Sequence, residues 1–535
     1  MKEYKKSRYL LIIMFIALLL RFYNFSFPFF TADEVRIAYR GFSLVETGKD
    51  ELSRQTPLIF NSLEDYQLPV TSYLTAGGIL LFGKTDFGVR FPFIILGTVL
   101  VFLIYKITKI LTENENLGLI AALISSFSPT LIFLSKTPNE SIIMVFLLTL
   151  LFYILLQKQI NILIFTLISI LIILTSKHSW LFLTPFVFTT IYFFQEGMSF
   201  KKKALLTGIV LIISIVTFIV FLIIPQGKRS LMENNFLIFD DITIKNGITR
   251  LRGQGIESGW SPILERLYFN KIILLPIGFW HWLSNISPSV YFGQFDNNGL
   301  FSYSRIGAFA KSLIIPAFLG ISFLIKEGNK KQRLLIVFIL IITFPIIFIF
   351  PKVNHILIIT TLPFLIFIIA LGFKRLSKFY SLIILFVMAV EVIVNMFLIN
   401  TELKNTNNLR PSWVVPVISK IIEVSKTKEI AVSDNIVEDI IPYIGWQAKI
   451  VPNLSLKIDN FPYKVRQVSL NDNIVLHGYD KEKNICKSKI KKDLLVSNRD
   501  LRLIEDEFDL KNNEIFKDNL GQKHATFLSG KLCIE

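Results

Sequence analysis

Asp33, Glu34 and Arg36 fall within four positions of one another in TADEVRIAYR. They follow an apolar run, YLLIIMFIALLLRFYNF, that is long enough to cross a bilayer as a helix. A carboxylate about seven residues beyond such a run sits near headgroup depth. It can act there as a general base on an acceptor hydroxyl or amine, or hold a divalent cation. A structural role fits equally well, because TADEV also reads as a helix start with acids at the positive end of the helix dipole. Residue types alone leave these readings level.

More polar residues occupy similar places. The same loop carries Glu64, Asp65 and Tyr66, then Tyr73, and ends at Arg90. Later junctions give Lys136 and Glu140 in LSKTPNES, Lys177 and His178 in LTSKHSW, and Lys352 and His355 in FPKVNH. Cations gathered at several helix ends suit a phosphate or pyrophosphate. Each lysine alone also reads as a snorkelling side chain that ends a helix.

The elements that must position these groups are membrane helices. The chain has 535 residues, 52% of them hydrophobic, which sets it apart from soluble domains. Backbone in lipid must satisfy its own hydrogen bonds, so the long apolar runs are helices. About eleven are predicted, at roughly 9–26, 88–108, 117–134, 140–156, 160–175, 179–195, 204–224, 306–325, 334–350, 355–373 and 380–399. The first run ends with Arg21 nearby and lacks a small-x-small cleavage site, so it reads as a retained anchor. A net charge of +17 reflects Lys and Arg in short cytoplasmic loops such as SFKKK, KEGNKKQR and KRLSK, and not a nucleic-acid partner. These loops all fall on the side of the basic N-terminus. The N-terminus is therefore expected in the cytoplasm of a multi-pass cell-membrane protein, with the carboxylates and the C-terminal tail outside. Residues 1–400 form the transmembrane module, with external loops at about 27–87 and 226–304. In the second loop Trp280, Trp282, Tyr291 and Phe292 suit an interfacial helix pair.

Residues 401–535 change character. Short apolar runs such as EIAVS, AKIVP, NIVLHG, DLLVS and HATFLSG alternate with Asn, Asp and Lys, which predicts a small extracytoplasmic α/β domain. PSWVVPVISKIIEVSK reads as a helix joining it to the membrane part. Both cysteines, Cys486 and Cys533, lie in this tail, in a compartment that permits a disulfide without fixing one.

Taken in order, these motifs resemble the GT-C type membrane glycosyltransferases. The resemblance is to the protein O-mannosyltransferase and lipid A aminoarabinose transferase superfamily. ADEVRIA is similar to the family's acidic-acidic-x-Arg opening of the first loop. LPVTSYLTAGGILLFGKTDFGVRFP matches its amphipathic helix, Phe-Gly turn and Arg-x-Pro, here Pro69, Tyr73, Gly83, Arg90 and Pro92. Lys136 and Glu140 stand where the family usually has Arg and Asp, and Lys352 matches the lysine of its late helix. The resemblance covers roughly residues 10–375.

That resemblance implies a sugar donor carried on a polyprenyl phosphate and an extracytoplasmic acceptor. Asp33 would be the general base, with Glu34 beside it, and the transfer would invert the anomeric carbon. Arg36, Arg90, Lys177, Lys352, His355, Tyr66 and Tyr73 would bind donor phosphate or acceptor. Asp33 with Glu64 and Asp65 would be the ligands of a divalent metal ion, if one is used. No nucleotide cofactor is expected, in keeping with the absence of a glycine-rich nucleotide motif. Two alternatives are a transporter or lipid flippase, and a non-catalytic envelope assembly protein. Transporters concentrate ionisable groups near the bilayer midplane; here Glu391 is the main one.

Overall fold

The computed structural model describes residues 2–24, 32–225 (apart from 51–53, 56 and 63–64), 227–228, 242–264, 274–293, 307–348, 355–405 and 414–425. Beyond these it describes the strands of the C-terminal tail and residues 445–446. Cys486, Cys533 and Lys352 lie outside the described residues. The chain divides into two compact units. The first comprises Met1–Phe25, Tyr66–Thr71 and Phe93–Ile399, and the second Ser26–Asp65, Ser72–Pro92 and Asn400–Glu535.

The first part of the chain runs α1 (Lys2–Phe22), α2 (Ala32–Thr47), β1 (Phe60–Ser62), β2 (Asp65–Gln67), α3 (Pro69–Phe82) and α4 (Asp86–Thr112). It continues through α5 (Glu115–Ser126), α6 (Pro129–Ser135), α7 (Glu140–Leu155), α8 (Ile162–Ile173), α9 (Ser179–Phe194) and α10 (Phe200–Ile223). After these come α11 (Ile242–Glu257), α12 (Leu274–Asn285), α13 (Pro288–Phe292), α14 (Ile314–Lys326) and α15 (Lys330–Thr343). The last apolar helices are α16 (His355–Thr360), α17 (Leu362–Gly372) and α18 (Lys378–Asn405).

The short polar stretches between apolar runs supply the caps that start these helices. Asn114 accepts from the backbone N–H groups of Asn116 and Leu117, Asn161 from Leu163 and Ile164, and Ser199 from Lys202. Asn329 and Gln332 form a reciprocal capping box at the start of α15.

Among the described residues, three helices alone are long and apolar enough to span a bilayer: Asp86–Thr112, Phe200–Ile223 and Lys378–Leu398. Other expected spans are built from shorter pieces. The run expected at 117–134 is α5 plus α6, bent by 61°. The break follows from Ser128, an N-cap, and Pro129, which cannot continue a helix from the preceding turn. The run expected at 355–373 is α16 plus α17, which meet at Thr361. At 12 residues, α8 reaches only about 18 Å, short of a ~30 Å hydrocarbon core.

Packing in the first unit rests on rings and close backbone approach, as expected where lipid is as apolar as the side chains. Phe152, Phe186, Phe338 and Phe364, from α7, α9, α15 and α17, form one aromatic cluster with centroids 5.3 to 6.1 Å apart. α14 and α17 touch through Gly320 and Gly372. A Cβ on Gly320 would overlap the Ile368 carbonyl, and one on Gly372 the Pro316 carbonyl. Glu391, the mid-span acid of α18, accepts from the backbone N–H groups of Lys311 at 2.7 Å and Ser312 at 3.2 Å. It thereby caps the turn that leads into α14, a structural use of the mid-span charge noted in the sequence.

In the second unit the tail builds a seven-stranded sheet in the order β4-β5-β6-β3-β7-β9-β8. Its strands are β3 (Ile430–Ser433), β4 (Ser455–Lys457), β5 (Gln467–Asn471), β6 (Ile474–His477), β7 (Asp493–Ser497), β8 (Glu514–Lys517) and β9 (Lys523–Leu528). β3 is parallel to both neighbours, β6 and β7, and the other pairs are antiparallel. The expected joining helix is α19 (Val414–Ser425). It buries Val414, Val417, Ile418 and Ile421, one face at helical spacing. The run AKIVP lies outside the described residues.

Candidate active site

The candidate site is built on α2, which begins at the acidic pair. Val35, Ala38, Tyr39 and Phe42 form its buried face and pack with Ile79 of α3 and Val89 of α4. That face fixes the rotation of the helix, and the rotation gives its two carboxylates opposite fates. Glu34 points inward and is 3% exposed, whereas the Asp33 side chain is 83% exposed.

Glu34 is paired. Arg90 Nη2 lies 3.3 Å from its Oε1 and 3.5 Å from its Oε2, and Arg90 is itself buried. The pair joins the first turn of α2 to the start of α4. Sequence brings Arg90 there through a compact turn. Gly83 closes α3 at φ +75°, a conformation glycine adopts without strain. Thr85 then caps α4, its hydroxyl accepting from the Gly88 N–H at 3.0 Å. Asp33 faces Arg36 at 3.5 Å across one turn, an i,i+3 contact between an exposed carboxylate and a largely buried guanidinium.

Tyr73 of α3 is partly exposed and sets its ring edge-on to Phe60, centroids 5.8 Å apart. The buried Arg40 guanidinium lies 5.8 Å from the centre of the same Phe60 ring. Burial, and then the charge of Asp50, push the Tyr73 hydroxyl above its ordinary pKa, so it stays protonated and can donate. Asp50 itself is buried. It accepts from the Arg54 N–H at 2.8 Å and Nε at 2.7 Å, and pairs with Nη2 at 2.6 Å. This pair, which stiffens the loop after α2, was missed in the sequence. Its signal is an Asp two residues past Gly48, with Arg four positions later.

Tyr66 and Asp65 lie in β2, where the backbone alone is described, and Glu64 lies outside the described residues. Among the described residues no group of three His, Cys, Asp or Glu could hold a metal ion.

The remaining sequence candidates belong to the first unit. Lys177 is half-buried, just before α9. Its neighbour His178 is buried, with Nδ1 3.0 Å from Ser176 Oγ. Burial, helped by the Lys177 charge, lowers its pKa to about 3. His178 is therefore neutral near pH 7 and stays so well into the acid range. Lys136 is also internal. Its Nζ donates to the Tyr23 carbonyl at 2.8 Å and lies 5.8 Å from the Tyr23 ring centre, tying α6 to the end of α1. His355 is the first residue of α16. An apolar cavity of about 110 Å³ lies beside α13, α14 and α17, lined by Pro288, Tyr291, Phe309, Phe318, Ile321 and Ile368. Phe318 and Ile321 are exposed, so it opens sideways from the helices.

Over 97% of the chain and 98% of the other, this structure superposes on the crystal structure of ArnT from Cupriavidus metallidurans bound to undecaprenyl phosphate, with a TM-score of 0.54 at 11% identity. The fold is ArnT-like. Residues 67–224 match the family described as dolichyl-phosphate-mannose-protein mannosyltransferase. Apo ArnT from the same organism aligns over 99% of both chains, with a TM-score of 0.44 and 11% identity. No curated protein matches the chain. The resemblance read from the ordered motifs is thus borne out at the level of fold, a predominantly helical, ArnT-like architecture.

Proposed function

We propose that this GT-C protein moves a sugar from a polyprenyl-phosphate carrier to an extracytoplasmic glycan, lipid or protein, with inversion at the anomeric carbon. One observation carries the assignment of the base. In the first turn of α2 Glu34 is buried in its ion pair with Arg90, while Asp33, 3.5 Å from Arg36, is exposed to solvent. Asp33 takes the proton of the acceptor hydroxyl or amine. The acceptor atom bonds to the anomeric carbon, the bond from that carbon to the phosphate oxygen breaks, and polyprenyl phosphate leaves. Glu34 and Arg90 act through position, by fixing the turn that carries Asp33.

Arg36, with Lys177, Lys352 and His355, would balance the charge of the leaving phosphate, an effect that grows as water is excluded. Tyr66 and Tyr73 would orient donor or acceptor, and the protonated Tyr73 hydroxyl suits a sugar or phosphate oxygen. The sideways-opening apolar cavity suits part of an isoprenoid chain entering from the bilayer. A divalent ion bound by Asp33 with Glu64 and Asp65 would add charge stabilisation. An exposed Asp33 fits that role, and Glu34, held by Arg90, does not. We place the N-terminus in the cytoplasm and the C-terminal domain outside, the orientation that the basic short loops support.

Support comes from the match to the mannosyltransferase family and from the ArnT-like fold. The transport alternative is disfavoured by helices mostly free of mid-span charge, and the exception, Glu391, accepts from the backbone N–H groups of Lys311 and Ser312. Purified protein should release polyprenyl phosphate from at least one labelled polyprenyl-phosphate sugar when given cell-envelope acceptors. Consumption of none of the common hexosyl and pentosyl donors would overturn the proposal.

A further inference from the structure

The tail returns to the helix that carries Asp33. Gly445 and Trp446, both helical and about 400 positions from α2, rest on its buried face. Gly445 lies so close to Tyr39 that any Cβ there would overlap the ring. Trp446 packs on the cluster of Val35, Tyr39, Phe42 and Val89. Lys84, in the turn between α3 and α4, stands with these rings. Its ammonium is 3.3 Å from the centre of Phe42 and 5.5 Å from that of Trp446. Two cation–π contacts thus join α2, the α3–α4 turn and the tail at one point.

Position gives this contact its meaning. Val35 adjoins Glu34 and Val89 adjoins Arg90, so the cluster that Trp446 covers also flanks the ion pair that sets the first turn of α2. Tyr39 and Phe42 stack on each other one turn further along, with centroids 6.5 Å apart. Packing on Ile79 and Val89 sets the rotation of α2 and the Glu34–Arg90 pair holds its first turn. The contact of Gly445 and Trp446 at Tyr39 and Phe42 adds a further hold on the same face and limits how far Asp33 can shift. Displacements of about 1 Å at a reacting group are enough to cost large factors in rate.

We infer that Trp446 and Lys84 are positioning residues, and that the C-terminal domain serves transfer by bracing α2 through the Gly445–Trp446 turn. The inference rests on the reading of Asp33 as the transfer base. It explains why a soluble domain, whose sheet need not touch substrate, is joined to a membrane transferase.

The test compares Trp446→Ala, Trp446→Phe, Lys84→Met and Asp33→Asn in the full chain. It measures kcat, KM for the donor, and hydrogen exchange of peptides covering residues 33–47. Trp446→Ala should lower kcat about tenfold with KM unchanged and speed exchange in that segment. Trp446→Phe should restore most of both, and Lys84→Met should shift both in the same direction by less. Unchanged kcat, a change in KM alone, or unchanged exchange would each overturn the brace. Should Trp446→Ala fail to insert, Lys84→Met decides by the same measurements, since it leaves the tail intact. Full activity in Trp446→Ala beside an inactive Asp33→Asn overturns the brace alone. Full activity in Asp33→Asn overturns the reading of the site, and the purpose of the brace with it.

Discussion

Replacing Arg90 by methionine should destabilise the second unit by about 3 kcal/mol, the low end of the range for breaking a buried ion pair. Both partners are nearly inaccessible, so the Glu34 carboxylate would keep its burial and lose its guanidinium. The contacts of 3.3 and 3.5 Å are longer than the roughly 2.7–2.9 Å of the strongest charge-assisted bonds, which argues for the low end. Methionine preserves most of the side-chain volume, so little of the effect comes from a cavity. Thermal unfolding in detergent of Arg90→Met, Glu34→Gln and the double variant gives a cycle that isolates the pair. The double variant should recover most of the loss, because a neutral amide beside an apolar chain leaves no buried charge. An Arg90→Met protein within about 0.5 kcal/mol of the parent, or strictly additive single effects, would refute the reasoning.

Three further outcomes test other parts of the structure. Glu391→Ala should cost about 1–3 kcal/mol, because two backbone N–H groups at the head of α14 lose their acceptor, and Glu391→Gln should cost less. Leucine at Gly320 or Gly372 should abolish a stable fold, since each side chain would meet backbone of the facing helix, whereas leucine at Gly208, which faces open space, should be tolerated. His178 makes stability depend on pH in a definite direction. Its proton is disfavoured in the folded chain, with a pKa of about 3 against 6.5 unfolded. Its contribution is constant above pH 6.5, and stability falls on the order of 1 kcal/mol per pH unit between 6.5 and 3. His178→Gln should flatten that acid limb in a melting series, and an unchanged slope would contradict the burial argument.

Much of this was legible in the sequence because it is local. The helix start at ADEV, the Gly83 turn and the capping asparagines all have signatures within a few residues. The strands β3, β6, β7 and β9 coincide with apolar runs picked out by alternation. What escaped has no period. Glu34 and Arg90 are 56 positions apart, and only the packed face of α2 selects which of two adjacent acids turns inward. The burial of His178, which lowers its pKa to about 3, is likewise not legible from residue type. The spans expected at 117–134 and 355–373 read as single apolar runs. Their interruptions at Pro129 and Thr361 are compatible with a continuous hydrophobic pattern and appear only once helix ends are capped. The Gly445–Trp446 contact could not be read at all, since neither residue stands out within its own segment.

The most direct measurement is single-turnover transfer by Asp33→Asn against the parent, with a labelled polyprenyl-phosphate sugar and saturating acceptor. Asparagine keeps the shape and cannot take the proton. The account predicts normal membrane insertion and donor binding, with the transfer step slowed about 10²–10⁴-fold. Transfer at the parental rate would contradict it.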